Sequence, residues 1–361
     1  VGKLEKFRYL SIQASNEVIE APVYDASSIK GPFPLHKTLI SNFCKNSCLY
    51  CAFRSGRRVR REEMSPEELA RISYYLWKKG YIKGVFYSSS IRDPERDSER
   101  VVSAAENLRA MGFTGYIHLK LMPGCSRDII RRACRVADRA GFNVESSPES
   151  FHELCPEIDI RKDILRRFRW MKEEAENSKR MKSGMDTQFV LGADEESDFE
   201  IASFTEELFR KFGLRRVYYS PFRPVEDTPL ERREPCDGRR ELRMYRLSFL
   251  LRDYGLSVRD LEMCFDERGN LICDDPKRAF FEEMKDEILI DLERATLQDL
   301  MLLPGIGYRR ARRIIEWRER HEIKNWKDFS KASSLGEKWR RVLEPHLNYG
   351  EGQRRLEEWC G

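Results

Sequence analysis

SNFCKNSCLYC, residues 41–51, places Cys44, Cys48 and Cys51 at spacings of four and three residues, directly after the apolar, β-rich run KTLISNF (37–43). Three thiols in eight residues let one short loop wrap three corners of a cubane. Outward from it, short apolar runs alternate with amphipathic ones: SPEELARISYYLWKKG (65–80), KGVFYSSS (83–90), SERVVSAAENLRAMG (98–112), YIHLKLM (116–122), SRDIIRRACRVADRAG (126–141) and FNVES (142–146). Ser65, followed by Pro66 at the first helical position and by Glu68, signals a helix start, and Gly80, Gly112 and Gly141 are expected to close helices. TQFVLGA (187–193) and RRVYYSPF (215–222) bring the expected strands to six before Pro221 and Pro224 end the pattern. A βα series of this kind means a parallel sheet, barrel-like or doubly wound.

The chain has 361 residues, 40% hydrophobic and 35% charged, with 66 Lys plus Arg against 61 Asp plus Glu and a formal charge of +5. That surplus is too small to imply a polyanionic partner by itself. There is no run of eighteen apolar residues and VGKLEKFRYL carries no apolar signal stretch, so no membrane association is expected and the expected location is the cytoplasm. Ten cysteines without an export signal point to metal or redox chemistry rather than to disulfides. Density in both charge signs is a weak pointer to a heat-adapted protein.

Residues 1–36, with the turn-rich KGPFPLH, read as a cap segment, 37–225 as the barrel, and 226–294 as a barrel-completing and connecting region. The last opens with the proline-rich crossing PVEDTPLERREP. In RRELRMYRLSFLLRDYG, Leu242, Tyr245 and Phe249 share one face and are expected to pack inward; a turn is expected at residues 267–270. Residues 295–348 form a final small unit and 349–361 a tail.

Iron–sulfur clusters are held by cysteine thiolates, and four ligands are the rule for a [4Fe–4S] cluster. Three local ligands leave one iron open to chelation by the amino and carboxylate groups of S-adenosylmethionine (SAM). Homolysis of SAM would then give a 5'-deoxyadenosyl radical, with the protein supplying position and a dry cavity. The competing reading is a structural zinc site, for which His36 is the nearest fourth ligand. A second cluster on Cys236, Cys264 and Cys273 lacks any compact CxxC pair; the other reading of these cysteines is as small buried hydrophobes.

Side chains alternate along strands, so polar residues at every second position near a strand's C-terminal end point into a barrel mouth. Ile117, Leu119 and Leu121 would face helices, leaving His118 and Lys120 inside, and Asn143 and Glu145 would face in beside an outward Phe142 and Val144. His118, Lys120 and Glu145 are candidates for SAM or substrate contact, or for an internal charge network. Gln188, Tyr218 and Tyr219 are weaker candidates, since strand aromatics usually belong to the core.

LMLLPGIGYRRARRII, residues 300–315, has the form of a helix-hairpin-helix element, with a degenerate second copy, SSLGEKWRRVLEP, from residue 333. Gly305, Ile306 and Gly307 form the turn, whose amides suit an anion, beside Arg309, Arg310 and Arg313. Residues 301–348 hold twelve basic against six acidic side chains, a surplus larger than that of the whole chain. Such hairpins grip the sugar-phosphate backbone of DNA or RNA without reading bases; a protein-docking role is the alternative.

The CxxxCxxC spacing with Tyr50 before the last cysteine resembles the radical SAM superfamily. Together with GYIHLKLMPG, TQFVLGADEESD, RRVYYSPFRPVEDTP and LMLLPGIG, it resembles the radical SAM proteins assigned to DNA modification or repair and linked to a uracil-DNA-glycosylase-like partner. The resemblance implies a partial (β/α)6 TIM-like barrel with a small all-α helix-hairpin-helix domain. It implies a [4Fe–4S] cluster on Cys44, Cys48 and Cys51, SAM as cofactor, and an electron donor such as ferredoxin or flavodoxin. It sets Tyr50 against the adenine, and Ser88, Ser89 and Ser90 where many relatives carry a Gly-Gly-Glu-like stretch that meets the SAM amino group; for Ser89 loop capping is the alternative. The substrate it implies is a nucleobase or ribose of DNA or tRNA. The alternative of a different class is a nucleic-acid-binding or assembly protein whose cluster is structural or redox-sensing.

Overall fold

The structure, a computed structural model, describes residues 5–6, 9–11, 23–28 and 31–350. Most of the expected cap segment and residues 351–361 of the expected tail lie outside the described residues. The chain divides into two compact units, residues 1–196 with 207–241, and residues 197–206 with 242–361.

The first unit carries a seven-stranded sheet in sequential order: β1 (Tyr24–Ser28), β2 (Gly31–Leu39), β3 (Gly84–Ser88), β4 (Tyr116–Lys120), β5 (Arg139–Gly141), β6 (Gly184–Leu191) and β7 (Arg216–Pro221). β1 pairs antiparallel with β2, and every later neighbour is parallel. The six parallel strands are the expected partial barrel; β2 and β7 end the parallel run and do not pair with each other. Helices α1 (Pro66–Lys78), α2 (Pro94–Ala110), α3 (Arg127–Val136) and α4 (Arg166–Glu176) fall between the strands. α1 starts as its sequence dictates, with Ser65 and Glu68 closing a reciprocal capping box worth about 1 kcal/mol. Ile117, Leu119, Phe142 and Val144 are fully buried, and Phe142 meets Phe168 of α4 edge-on.

Two expectations shift. GPFPLH (31–36) is strand and not loop: β2 begins at Gly31 and pairs antiparallel with β1, Lys30 lying outside the described residues. Pro32 and Pro34 precede Leu35, where β3 starts to pair, so neither interrupts a ladder flanked on both sides. The fifth strand is Arg139–Gly141 rather than FNVES, and Gly141 ends that strand instead of a helix. A Cβ on Gly141 would lie 1.8 Å from the Asp186 carbonyl oxygen, so glycine is there for the close approach of β5 to β6.

In the second unit, α6 (Gly238–Phe249), which begins in the first unit, buries Met244, Leu247 and Ser248. Leu242 is half exposed, so the inward face is not the one expected. A hairpin bridged at Phe265 and Leu271 turns through Gly269, as the sequence suggested. The C-terminal core gathers Phe281, Ile290, Leu300, Ile306, Ile314, Phe329 and Leu343. It holds α8 (Leu297–Leu302), α9 (Tyr308–Arg318), α10 (Trp326–Ser333) and α11 (Arg340–Leu343) together, with α7 (Pro276–Met284) and the strand pair Ile290–Asp291 and Leu347–Asn348. The element α5 (Asp198–Arg210) lies between β6 and β7 in sequence.

Candidate active site

The cysteine loop leaves β2 at its C-terminal end and is pinched shut at its base. Asn42 N–H donates to the Glu62 carbonyl (3.2 Å), Glu62 N–H donates to Asn42 Oδ1 (2.7 Å), and Met64 N–H returns to the Ile40 carbonyl (2.8 Å). Within it, Lys45 N–H reaches the Ile91 carbonyl (2.7 Å), Ser55 N–H the Asn46 carbonyl (2.7 Å), and Cys51 N–H the Cys48 carbonyl (3.2 Å). Arg61 fills the inside, donating to the carbonyls of Asn42 (2.6 Å), Phe53 (2.8 Å) and Arg54 (2.9 Å). Leu49 N–H reaches the Leu154 carbonyl (3.0 Å), and Glu157 accepts from Ser47 N–H (3.0 Å) and from its hydroxyl.

Cys44, Cys48 and Cys51 are half-buried in this pinned loop. Burial pushes the Cys51 thiol up to about 12, with Cys48 next in effect, and raises Cys44 in the same way. Three thiols carried on one pinned loop are a donor set suited to a metal cluster, since bound metal drives thiols to thiolates. The donors therefore fit an iron–sulfur cluster. A fourth thiol, Cys155, buried and hydrogen-bonded to Cys48, was not singled out in the sequence because it follows a different strand. His36, the nearest fourth ligand for zinc, is turned into the barrel wall: its Nδ1 lies 2.7 Å from Ser73 Oγ, and burial lowers it to about 3. Cys264 and Cys273 are free thiols that share a hydrogen bond in the second unit, and Cys236 lies against Gly192 in the first; among the described residues, the loop thiols included, no three metal-capable side chains are placed around a single ion.

Beside the loop, Ile40 N–H bonds the Ser88 carbonyl (2.8 Å) and Ser90 N–H the Ser41 carbonyl (2.9 Å), while the Ser89 hydroxyl reaches only 3.5 Å from the same carbonyl. Tyr50 and Asn143 lie against the carboxyl of Glu145, whose Oε2 is buried without a hydrogen-bond partner. Glu145 has φ 56°, a left-handed conformation rare outside glycine and concentrated at functional sites, and is held there by Gln188 and Val190 of β6. Burial raises its pKa.

Deeper in, Asp186 takes Lys120 Nζ at 2.9 Å and His118 Nε2 at 3.0 Å, and these two partners hold its carboxyl low against the opposing effect of burial, while burial lowers His118 toward its neutral form. His118 stacks edge-on to Phe86, and Arg139 donates to the Tyr218 hydroxyl (3.3 Å). His118 and Lys120 are thus inside as expected and also form the internal charge network weighed against SAM contact. Tyr219 is buried against Phe189 as core, and the side chain of Gln188 is half-buried. At the ends of β5 and β6, Glu196 accepts from Ser147 N–H (2.6 Å), and burial beside Asp194 raises it to about 8.

This arrangement is a thiol loop and a polar interior at the C-terminal ends of parallel strands, and it coincides with a match of residues 38–191 to the radical SAM superfamily. The first unit carries a radical SAM domain. The cofactors of such a domain, and of this one, are a [4Fe–4S] cluster and SAM. Residues 285–348 match the helix-hairpin-helix motif. No curated protein matches the sequence. Among solved structures, the FeFe-hydrogenase maturase HydG from Carboxydothermus hydrogenoformans is 14% identical, with TM-score 0.46 over 59% of this chain and 50% of that one. Methylornithine synthase (PylB) is 17% identical, TM-score 0.47, over 70% of each chain. The radical SAM methyltransferase TsrM from Kitasatospora setae is 12% identical, TM-score 0.38, over 54% of this chain and 37% of that one. The chain spans about half the length of the HydG proteins it matches.

In the hairpin, Gly305 has φ 78° and a Cβ there would sit 3.0 Å from the Trp339 ring, whereas Gly307 opens to empty space. Ile306 is fully buried; its N–H bonds the Leu303 carbonyl and its own carbonyl takes Lys277, so it anchors the turn rather than meeting a ligand. Arg310 donates to the Gly305 carbonyl (2.7 Å), and Arg313 to the Lys331 carbonyl (3.0 Å) and the Ser334 hydroxyl. Arg309 is exposed.

Proposed function

We propose that the chain is a radical SAM enzyme acting on nucleic acid, with Cys44, Cys48 and Cys51 holding the cluster. The observation that carries the reading is the loop at residues 42–62, pinned at its base and presenting three thiols at the end of β2. When bound, the cluster supplies the electron that cleaves SAM to methionine and a 5'-deoxyadenosyl radical. The chain's own residues hold and shield that site. Tyr50 lies against Glu145, which offers a buried carboxyl with one free oxygen to a polar group of SAM or substrate, and Ser88, Ser89 and Ser90 lie beside Ile40 and Ser41 at the base of the loop. Lys120, His118 and Asp186 form a floor whose charges are already paired, which suits a positioning role better than proton transfer.

The helix-hairpin-helix motif supports a nucleic-acid substrate, DNA or tRNA, gripped through its backbone by the amides and cations around Gly307, Arg309 and Arg310. Modification or repair of a base or sugar is the reaction class. An electron donor of ferredoxin or flavodoxin type and a uracil-DNA-glycosylase-like protein are its proposed partners. The test is to reduce the reconstituted protein anaerobically with SAM and either duplex DNA or tRNA, and to analyse released nucleosides by mass spectrometry. A modified nucleoside in proportion to 5'-deoxyadenosine is expected with one of them. SAM left intact under strong reductant would instead assign the cluster a structural or redox-sensing role.

A further inference from the structure

The return limb of the cysteine loop, FRSGRRVRRE (53–62), carries Arg54, Arg57, Arg58, Arg60 and Arg61 against one acid, Glu62. How these charges are partnered sets what they can do. Arg54 donates to the Ser47 carbonyl (2.9 Å), Arg57 to the carbonyls of Ala52 (2.9 Å) and Glu226 (2.8 Å), and Arg61 to four carbonyls inside the loop. Carbonyl acceptors fix a guanidinium in place without cancelling its charge. The carboxylates near the limb are otherwise engaged: Glu62 and Glu5 with Arg60, Glu63 with Arg92 and Arg100, and Glu157 with Ser47, close to Arg54. Among the described residues, Arg57, Arg58 and Arg61 have no carboxylate at ion-pair distance, and Arg58 and Lys45 point their charge to solvent. With Arg60 paired, Arg57, Arg58 and Arg61 leave a strip of uncancelled positive charge on the limb that follows the thiols.

Its place in the sheet gives the strip a direction. Arg57 reaches from the loop after β2 to Glu226, which follows β7. The sheet's edges are β1, paired on β2, and β7, which do not pair with each other, so the bond from Arg57 to Glu226 runs from the loop after β2 to the segment after the edge strand β7, on the side where the sheet does not close. A polymer too large to enter a closed barrel can reach the mouth from that side.

We infer that this arginine limb is a track for the phosphate backbone of the substrate strand, leading it over the barrel's open side to the cysteine loop. The inference rests on the nucleic-acid reading above and places that substrate at the mouth itself. Arg58 presents an exposed guanidinium fork of the kind that matches phosphate oxygens two at a time, while Arg57 and Arg61, fixed by carbonyls, add charge at set positions. A hairpin that grips backbone alone leaves the delivery of a nucleotide to the barrel to some other surface, and this limb has the charge and the location for it.

The test uses full-length reconstituted protein with Arg58→Gln and with Arg58→Ala, titrated with a fluorescein-labelled single-stranded oligonucleotide across a salt series. Iron content and SAM cleavage without oligonucleotide serve as the fold control and should match wild type. The slope of log affinity against log salt should fall by about 0.7 per arginine removed, with little dependence on base sequence. Wild type that binds with variants of unchanged affinity and slope would overturn the track alone. Variants that bind the oligonucleotide normally but accept electrons slowly from an acidic flavodoxin would reassign the strip to reductant docking. Wild type that binds no oligonucleotide would overturn the nucleic-acid reading and the track with it.

Discussion

Asp186 shows how much of the interior hangs on single side chains. It sits fully buried between Lys120 and His118, and removing its charge takes from the Lys120 ammonium the one carboxylate at ion-pair distance among the described residues. Asp186→Asn is expected to destabilise the protein by about 3–5 kcal/mol in chemical denaturation, the cost of breaking a buried pair from one side. Glu196 behaves in the opposite sense. Its folded pKa of about 8 lies above the ordinary 4.5, so its contribution to stability is complete below pH 4.5 and is lost as pH rises through 8. A Glu196→Gln variant should therefore show a flatter stability profile between those limits, and an unchanged profile would refute the assignment. His118 and Lys120 were legible from strand alternation, and the same alternation could have found Asp186, two residues before Gln188 on the same face. Cys155 and Glu196 could not be found that way, since contacts between loops after different strands leave no local period.

At the scale of elements, five of the six parallel strands, the start of α1 and the glycines closing α1 and α2 followed from pattern and capping. The misread places are those where tertiary contact overrides local signal. Gly141 looks like a helix stop and is instead a spacer between β5 and β6, and α6 turns Met244 and Leu247 inward although Leu242 fits an apolar stripe equally well. The hairpin offers a paired test, because its two glycines do different things. Gly305→Ala adds a Cβ at positive φ against Trp339 and should cost about 1–3 kcal/mol, seen as a lower melting temperature. Gly307→Ala has open space and ordinary φ, so it should melt with wild type while weakening oligonucleotide binding by crowding the exposed amide. Equal melting of the two variants would contradict the division of labour.

Over the whole molecule, the two matched segments, residues 38–191 and 285–348, fall on the parts that the sequence set apart: a βα series around clustered cysteines and a basic hairpin unit. The sequence did not reveal the arginine limb's arrangement, because five arginines in a loop read alike whether they pair with carboxylates or with carbonyls. Among the described residues no helix is long and apolar enough to cross a membrane. All of the proposed chemistry depends on the thiol loop, so the most direct measurement is anaerobic iron–sulfur reconstitution of the full chain, followed by reduction with SAM, in wild type and in Cys44→Ala/Cys48→Ala/Cys51→Ala. Wild type should load about four irons, as one [4Fe–4S] cluster requires, and release 5'-deoxyadenosine and methionine, while the triple variant does neither. A cluster that survives in the triple variant, or wild type that yields S-adenosylhomocysteine and no 5'-deoxyadenosine, would contradict the account.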